Sequence, residues 1–350
     1  MKCPECDHNQ KYVDGMTCGS CGYRFALNPK ETPKLTDIAI RKMIDRVSGE
    51  GEYYFTYNQL LAQIHRRFAG PAYGCAGCLG ILIFLIILVP AEFLLIGYFT
   101  ADLTTVVVVT SVMLILPIAV CLYITRRFRI GPGVSISEAR GKINTCHSVH
   151  PIKKMVDGKA FENLKSEEFD EEIFQYAPDR ILIVERNDIA DMLLLNRFHL
   201  ENKTLVVSEE KYPLRAFRAC REYLSLYPDM EVALMHDASE KGLGMKKRIL
   251  SDPNWNLEEK NVRDLGLFPE DLVHLKTPMW IPKKMALEKI LPKGDPMENI
   301  RKGYTMPFDV APAKAMMGTM VLAVTLGVAL LSEELLAERE DKDNGGGGFG

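Results

Sequence analysis

Cys3, Cys6, Cys18 and Cys21 form two Cys-x-x-Cys pairs within the first 21 residues, and no other feature limits the local fold of the chain so tightly. A two-residue gap lets both sulfurs of one tight turn face a single ion. Two such turns complete the tetrahedral shell that Zn2+ takes with thiolates at about 2.3 Å. Eleven residues separate the pairs, enough for a small hairpin, and Gly19 and Gly22 ease the second turn. All four positions are supplied by protein, so the expected site is closed and structural rather than catalytic. Zinc ligation needs reduced thiols. No apolar leader precedes Cys3, which places the cysteines in a reducing, cytosolic compartment, and Cys75, Cys78, Cys121, Cys146 and Cys220 remain without a shared pattern.

Residues 1–28 resemble a zinc ribbon of the rubredoxin-knuckle type. Such ribbons serve nucleic-acid and protein contacts alike, so charge has to separate the two. Residues 1–34 hold five Lys or Arg against four Asp or Glu, and the whole chain 43 against 46. Neither balance attracts phosphate, and a nucleic-acid partner is not favoured. A protein partner is expected instead. Residues 29–70 read as a small α/β segment: Ile40, Met43, Ile44 and Val47 recur at helical spacing, 53–57 is aromatic and strand-like, and Asn58 can cap a helix running to Phe68.

Two uncharged or nearly uncharged runs, 79–99 and 103–125, are each long enough to cross a hydrocarbon layer of about 30 Å. The short connection predicts a two-helix transmembrane hairpin over 79–125, with the lipid bilayer as a partner. Arg66, Arg67, Arg126, Arg127 and Arg129 flank it on one side, which predicts an integral membrane protein whose N-terminus and main soluble domain are cytosolic. Glu92 falls inside the first run, and equal depth in such a hairpin pairs it with Ser111 or Thr110.

From residue 137 onward, apolar strands alternate with helical stretches: 181–184, then 188–198, 204–207, 214–226, 232–235 and 241–250. Alternation of this kind implies right-handed βαβ units on a mainly parallel sheet covered on both faces. Residues 137–312 are therefore expected to be a Rossmann-like sandwich, giving a multidomain α/β membrane protein overall. Function in such sheets collects at the carboxyl ends of strands, where Glu185, Ser208, Glu209, His236 and Asp237 stand.

The stretches ILIVERNDIADML, LVVSEEKYPLRAFRACREYL, VALMHDASEKG and VRDLGLFPEDL make residues 180–275 resemble the toprim domain of the topoisomerase VI A subunit type. That resemblance implies Mg2+ held by a strand-end glutamate, here Glu185, and an Asp-x-Asp pair, here Asp237 and Ser239. The second acid is missing. Glu185 and Asp237, the candidate catalytic residues, leave a weakened Mg2+ site unless Glu240 substitutes. An alternative reading has them capping the following helices or pairing with Arg186 and Lys241. His147, His150 and Cys146 offer three more ligands without a fourth.

The run 315–331 fits either a buried helix or a short third span; basic residues before it and acids after it favour the span. Residues 332–350 are acidic and Gly-rich and read as a flexible tail. The expected function is a membrane protein that presents the ribbon and the Rossmann-like domain for partner recruitment or sensing, without catalysis. The alternative is a degenerate toprim-type nuclease or nucleotide-binding enzyme.

Overall fold

The runs Ile181-Leu182-Ile183-Val184, Leu205-Val206-Val207 and Val232-Ala233-Leu234 contain no polar alternation, as strands covered on both faces require, and they lie at the centre of the fold. The computed structural model describes residues 1–68, 134–164, 177–273, 275, 278–284, 287, 292 and 294–327. Met1–His65 and Val134–Gly350 form one unit and Arg66–Gly133 another, and the elements below belong to the first but for the last residues of its second helix.

After the ribbon, α1 (Asp37–Ser48) starts where the Thr36 hydroxyl accepts the Ala39 N–H and stops at Gly49, whose left-handed φ of +57° suits glycine. Strand β1 (Phe55–Thr56) leads directly into α2 (Tyr57–Phe68). The chain resumes with α3 (Ile136–Val149), opened by a reciprocal Ser135–Glu138 capping box, and β2 (Met155–Val156), which pairs in parallel with β1. Then follow α4 (Ala160–Asn163), β3 (Arg180–Val184), α5 (Asn187–Leu195), α6 (Phe198–Glu201), β4 (Thr204–Ser208), α7 (Leu214–Leu226) and β5 (Glu231–Met235). Helices α8 (Glu240–Leu243) and α9 (Met245–Ser251) precede β6 (Val262–Asp264). Antiparallel β7 (Ile281–Pro282) and β8 (Tyr304–Thr305) bracket α10 (Pro296–Arg301), and α11 (Ala313–Leu326) comes last among the described elements.

The central sheet has the order β4-β3-β5-β6 with every pair parallel. The chain enters at β3, moves outward to β4, and returns across β3 to β5. Strand order therefore reverses between β3 and β5, and the crevice at their carboxyl ends is where an open α/β sheet places its ligands. Ile181, Ile183, Leu205, Val207, Val232 and Leu234 face a core closed by Phe217, Cys220, Met245, Ile249 and Trp255 from α7, α9 and the loop after it. Phe217 meets Trp255 edge to face at 4.9 Å between centroids. On the sheet's alternate positions, Leu182 and Val184 are equally buried, and α5 packs beside β4 with Ile189, Ala190 and Met192 fully covered.

The expected membrane fold and membrane location are corrected by this architecture. Among the described residues, no helix is long and apolar enough to cross a membrane; what stands is a mixed α/β fold with parallel sheets. The hairpin expected over 79–125, including Glu92, Ser111 and Thr110, lies outside the described residues. The third span is overturned on positive grounds. Helix α11 has 14 residues, about 21 Å of rise, and ends at Gly327 with a φ of +68°. Its Met316, Met320, Ala323 and Val324 are buried in the unit, it packs on α1, and the Val324 carbonyl accepts the Arg180 Nη1 donor at 2.7 Å. Residues 328–350, and with them the expected tail, lie outside the described residues.

Candidate functional site

Each cysteine pair of the ribbon sits in its own small hairpin. In the first, the Cys3 N–H donates to the His8 carbonyl at 2.9 Å and Lys2 bridges Asn9; in the second, the Cys18 N–H donates to the Tyr23 carbonyl at 2.8 Å and Thr17 bridges Arg24. The residue after each second cysteine is left-handed, Asp7 at φ +57° and Gly22 at +77°, and this turns the chain back over the sulfurs. Gln10 ties the hairpins together: its amide donates to the Gly15 and Thr17 carbonyls and accepts the Gly19 N–H.

This folding brings the four sulfurs within 4.8 Å of one another, with Cys3 to Cys21 at 3.5 Å and Cys6 to Cys18 at 3.6 Å. A tetrahedron with Zn–S of about 2.3 Å spaces its sulfurs by about 3.8 Å, so the arrangement fits a Zn2+ ion. Among the described residues this is the sole convergent group of three or more metal-ligating side chains. The Cys21 N–H lowers the Cys18 thiol to about 6. Cys21 is pushed up to about 12: the Tyr23 N–H favours its thiolate, but the crowded Cys6, Cys3 and Cys18 sulfurs and burial outweigh it. Such crowding of like groups is what a divalent cation relieves.

The ribbon is fastened to the α/β unit through Asp37, a buried residue in the first turn of α1. Its carboxylate accepts the Ala26 and Leu27 N–H groups at 2.8 and 3.2 Å and the Tyr23 hydroxyl at 3.2 Å. Arg41 reaches the Pro4 carbonyl and the Glu5 carboxylate. His150, one of three possible further ligands by sequence, stacks on Tyr23 at 4.5 Å and hydrogen-bonds the Arg24 carbonyl, while His147 accepts the Ile152 N–H. Both imidazoles therefore serve the fold.

At the β3–β5 switch point, Glu185 and Asp237 are neighbours. The Asp237 N–H donates to Glu185 Oε2 at 2.9 Å, and both side chains are buried. Asp237 Oδ1 accepts the Phe308 N–H at 3.1 Å and Oδ2 meets Arg186 Nη1 at 2.9 Å. Arg186 also reaches Asp188 at 3.0 Å and Asp309 at 2.6 Å, so one guanidinium bridges three carboxylates from three parts of the chain. Asp309 in turn accepts the Thr56 hydroxyl and the Asn58 amide, which joins β1 and α2 to the same cluster. Burial pushes Asp237 up to about 7; Arg186 opposes this, while Asp309 and Glu185 add to it. Arg186 is itself held protonated, since Asp237, Asp309 and Asp188 together outweigh its burial.

Ser239, at the place of the missing acid, caps α8 by accepting the Gly242 N–H at 2.8 Å, and Glu240 is exposed. Gly242 is required there, because a Cβ would stand 2.1 Å from the Asp237 carbonyl oxygen. Lys241 does not reach either acid and lies 3.8 Å from Glu210. Ser208 donates to Asn187 at 2.6 Å, Glu209 makes a bidentate pair with Arg248, and His236 is buried against Asp264 at 3.1 Å. Sequence reasoning anticipated Arg186 as a partner but missed Asp309 and Asp188. Asp309 lies far along the chain from β3 in a Pro-flanked segment that carries no motif. No protein-family model, curated protein or solved structure matches the chain.

Proposed function

We propose that the chain is a non-enzymatic partner-binding protein, in which a structural zinc ribbon is clamped to a toprim-like α/β unit whose metal chemistry has been replaced by an ion-pair network. The observation that carries this reading is the engagement of both Asp237 oxygens, one by Arg186 and one by the Phe308 N–H. A hard divalent cation needs several carboxylate oxygens turned toward it, and a fixed guanidinium beside them opposes its charge. The ribbon contributes zinc-dependent structure and, with the α/β surface, the contact to a protein partner.

Calorimetric titration of the zinc-loaded full chain with Mg2+ and with Mn2+ tests the reading. Flat titrations, with no DNA cleavage in the presence of either ion, are expected. Binding of either ion that disappears in Asp237→Ala, or turnover of nucleic acid or nucleotide that depends on Glu185, overturns it in favour of a degenerate toprim-type enzyme. One observation favours that second reading: Asp188, Asp237 and Asp309 face a single guanidinium with Glu185 adjacent, which leaves an excess of negative charge at the strand ends.

A further inference from the structure

We propose that the four-cysteine cluster is a peroxide-responsive modification site, in which Cys3 bonds to Cys21 and Cys6 to Cys18 and the metal is released. The inference rests on the zinc reading of the ribbon. Its geometric basis is an alternation of access and contact. Cys6 and Cys21 are exposed, one on each hairpin, while Cys3 and Cys18 are buried. Each exposed residue has its sulfur against a buried sulfur of the opposite hairpin, Cys21 with Cys3 at 3.5 Å and Cys6 with Cys18 at 3.6 Å. An oxidant can therefore reach one member of each pair, and the other is already in place to resolve the product.

Ligation to a divalent cation keeps the sulfurs as thiolates, the reactive form. An exposed thiolate attacks one peroxide oxygen: an S–O bond forms, the O–O bond breaks and hydroxide leaves, giving a sulfenic acid. The buried thiolate beside it then attacks that sulfur. The S–S bond forms, the S–O bond breaks and a second hydroxide leaves. Each new bond thus oxidises two thiolates, reduces one peroxide and removes two of the four metal ligands. Among the described cysteines no other thiol competes, since Cys146 on α3 and Cys220 on α7 are buried, and burial pushes them up to about 11 and about 12. Both new bonds cross from one hairpin to the other, as the metal ligation does. The oxidised ribbon therefore keeps its hairpins joined without metal.

The zinc-loaded full chain is treated with hydrogen peroxide, and zinc release, disulfide mapping by mass spectrometry and hydrogen exchange are followed together. Expected are loss of the zinc, bonds from Cys3 to Cys21 and from Cys6 to Cys18, and free thiols at Cys146 and Cys220. Reduction with dithiothreitol and added Zn2+ should restore the metal. Residues 1–28 should stay protected in the oxidised chain and lose protection when the reduced chain is chelated. Bonds within one hairpin, oxidation of Cys146 or Cys220 ahead of the ribbon, zinc retained through the treatment, or an oxidised ribbon as unprotected as the chelated one each overturns the proposal. Zinc content of the untreated chain is measured first. Its absence defeats the metal reading alone, and the bond pattern among the four thiols then still decides the inference.

Discussion

In the ribbon the apolar cluster is Cys3, Cys18 and Phe25, with Met1, Met16 and Tyr23 leaning on it and Leu27 the one further buried apolar side chain, whereas one face of the parallel sheet buries a continuous cluster from Ile181 to Val262 that includes Phe217 and Trp255. Burial at about 25 cal/mol per Å2 can hold the second region together, but the first has too little apolar surface to offset the ordering of its backbone. On the proposed reading, ligation of Zn2+ by the four cysteines supplies the difference. Under that proposal, two regions of one folded unit answer to different variables: the ribbon to metal and thiol state, the sheet to side-chain volume.

Metal removal should separate them most sharply. Chelation, or Cys18→Ser with Cys21→Ser, is expected to abolish the one zinc per chain and to unfold residues 1–28, a loss on the order of 10 kcal/mol of ligation. Hydrogen exchange should rise throughout the ribbon while β3, β4 and β5 stay protected. Simultaneous loss of protection in the strands would show that the two regions are not separable; iron in place of zinc on metal analysis would remove the assignment. Trp255→Ala probes the opposite side. Its cavity in the sheet core should cost about 3–5 kcal/mol in denaturant unfolding with zinc content unchanged, so a variant that lost its zinc would break the comparison. The smallest effect is expected where the regions meet. Asp37→Ala removes the carboxylate that accepts the Ala26 and Leu27 N–H groups and should weaken the clamp by about 1–3 kcal/mol, seen as faster exchange at residues 23–28. No change there would mean that Arg41 and His150 suffice to hold the ribbon.

Local pattern explains what was legible in the amino-acid order. Unbroken apolar runs marked β3, β4 and β5 almost to the residue, and the cysteine spacing marked four sulfurs that do converge. Features set by distant partners were not legible. The helix expected over 188–198 ends at Leu195, because Asn196 leaves it to pair its side chain with both the N–H and the carbonyl of Tyr54 at 2.8 Å. The aromatic run 53–57 yields only Phe55–Thr56 as strand, since its parallel partner β2 offers just two residues. The run 315–331 has the apolar content of a span, and only its packing on α1 and its stop at Gly327 distinguish it from one. The strand-end cluster was half visible: Glu185, Asp237 and Arg186 stood at the right places, but Asp309, which Arg186 joins to Asp237, lies far along the chain where no local spacing points to it.

The bond from the Thr56 hydroxyl to Asp309 spans 253 residues, and the Gln59 amide reaches the Ala311 carbonyl across 252. A chain made from its N-terminus presents β1 and α2 long before these acceptors exist. All four clustered cysteines are present as soon as Cys21 emerges, but the segment behind them keeps its polar groups unmatched until nearly all of the chain has followed. Non-local closure of this kind slows folding and prolongs exposure of incomplete edges. Premature termination before Asp309 should therefore release a polypeptide with finished cysteine hairpins joined to an unfinished body, a species open to chaperones and proteases at its centre rather than at its start.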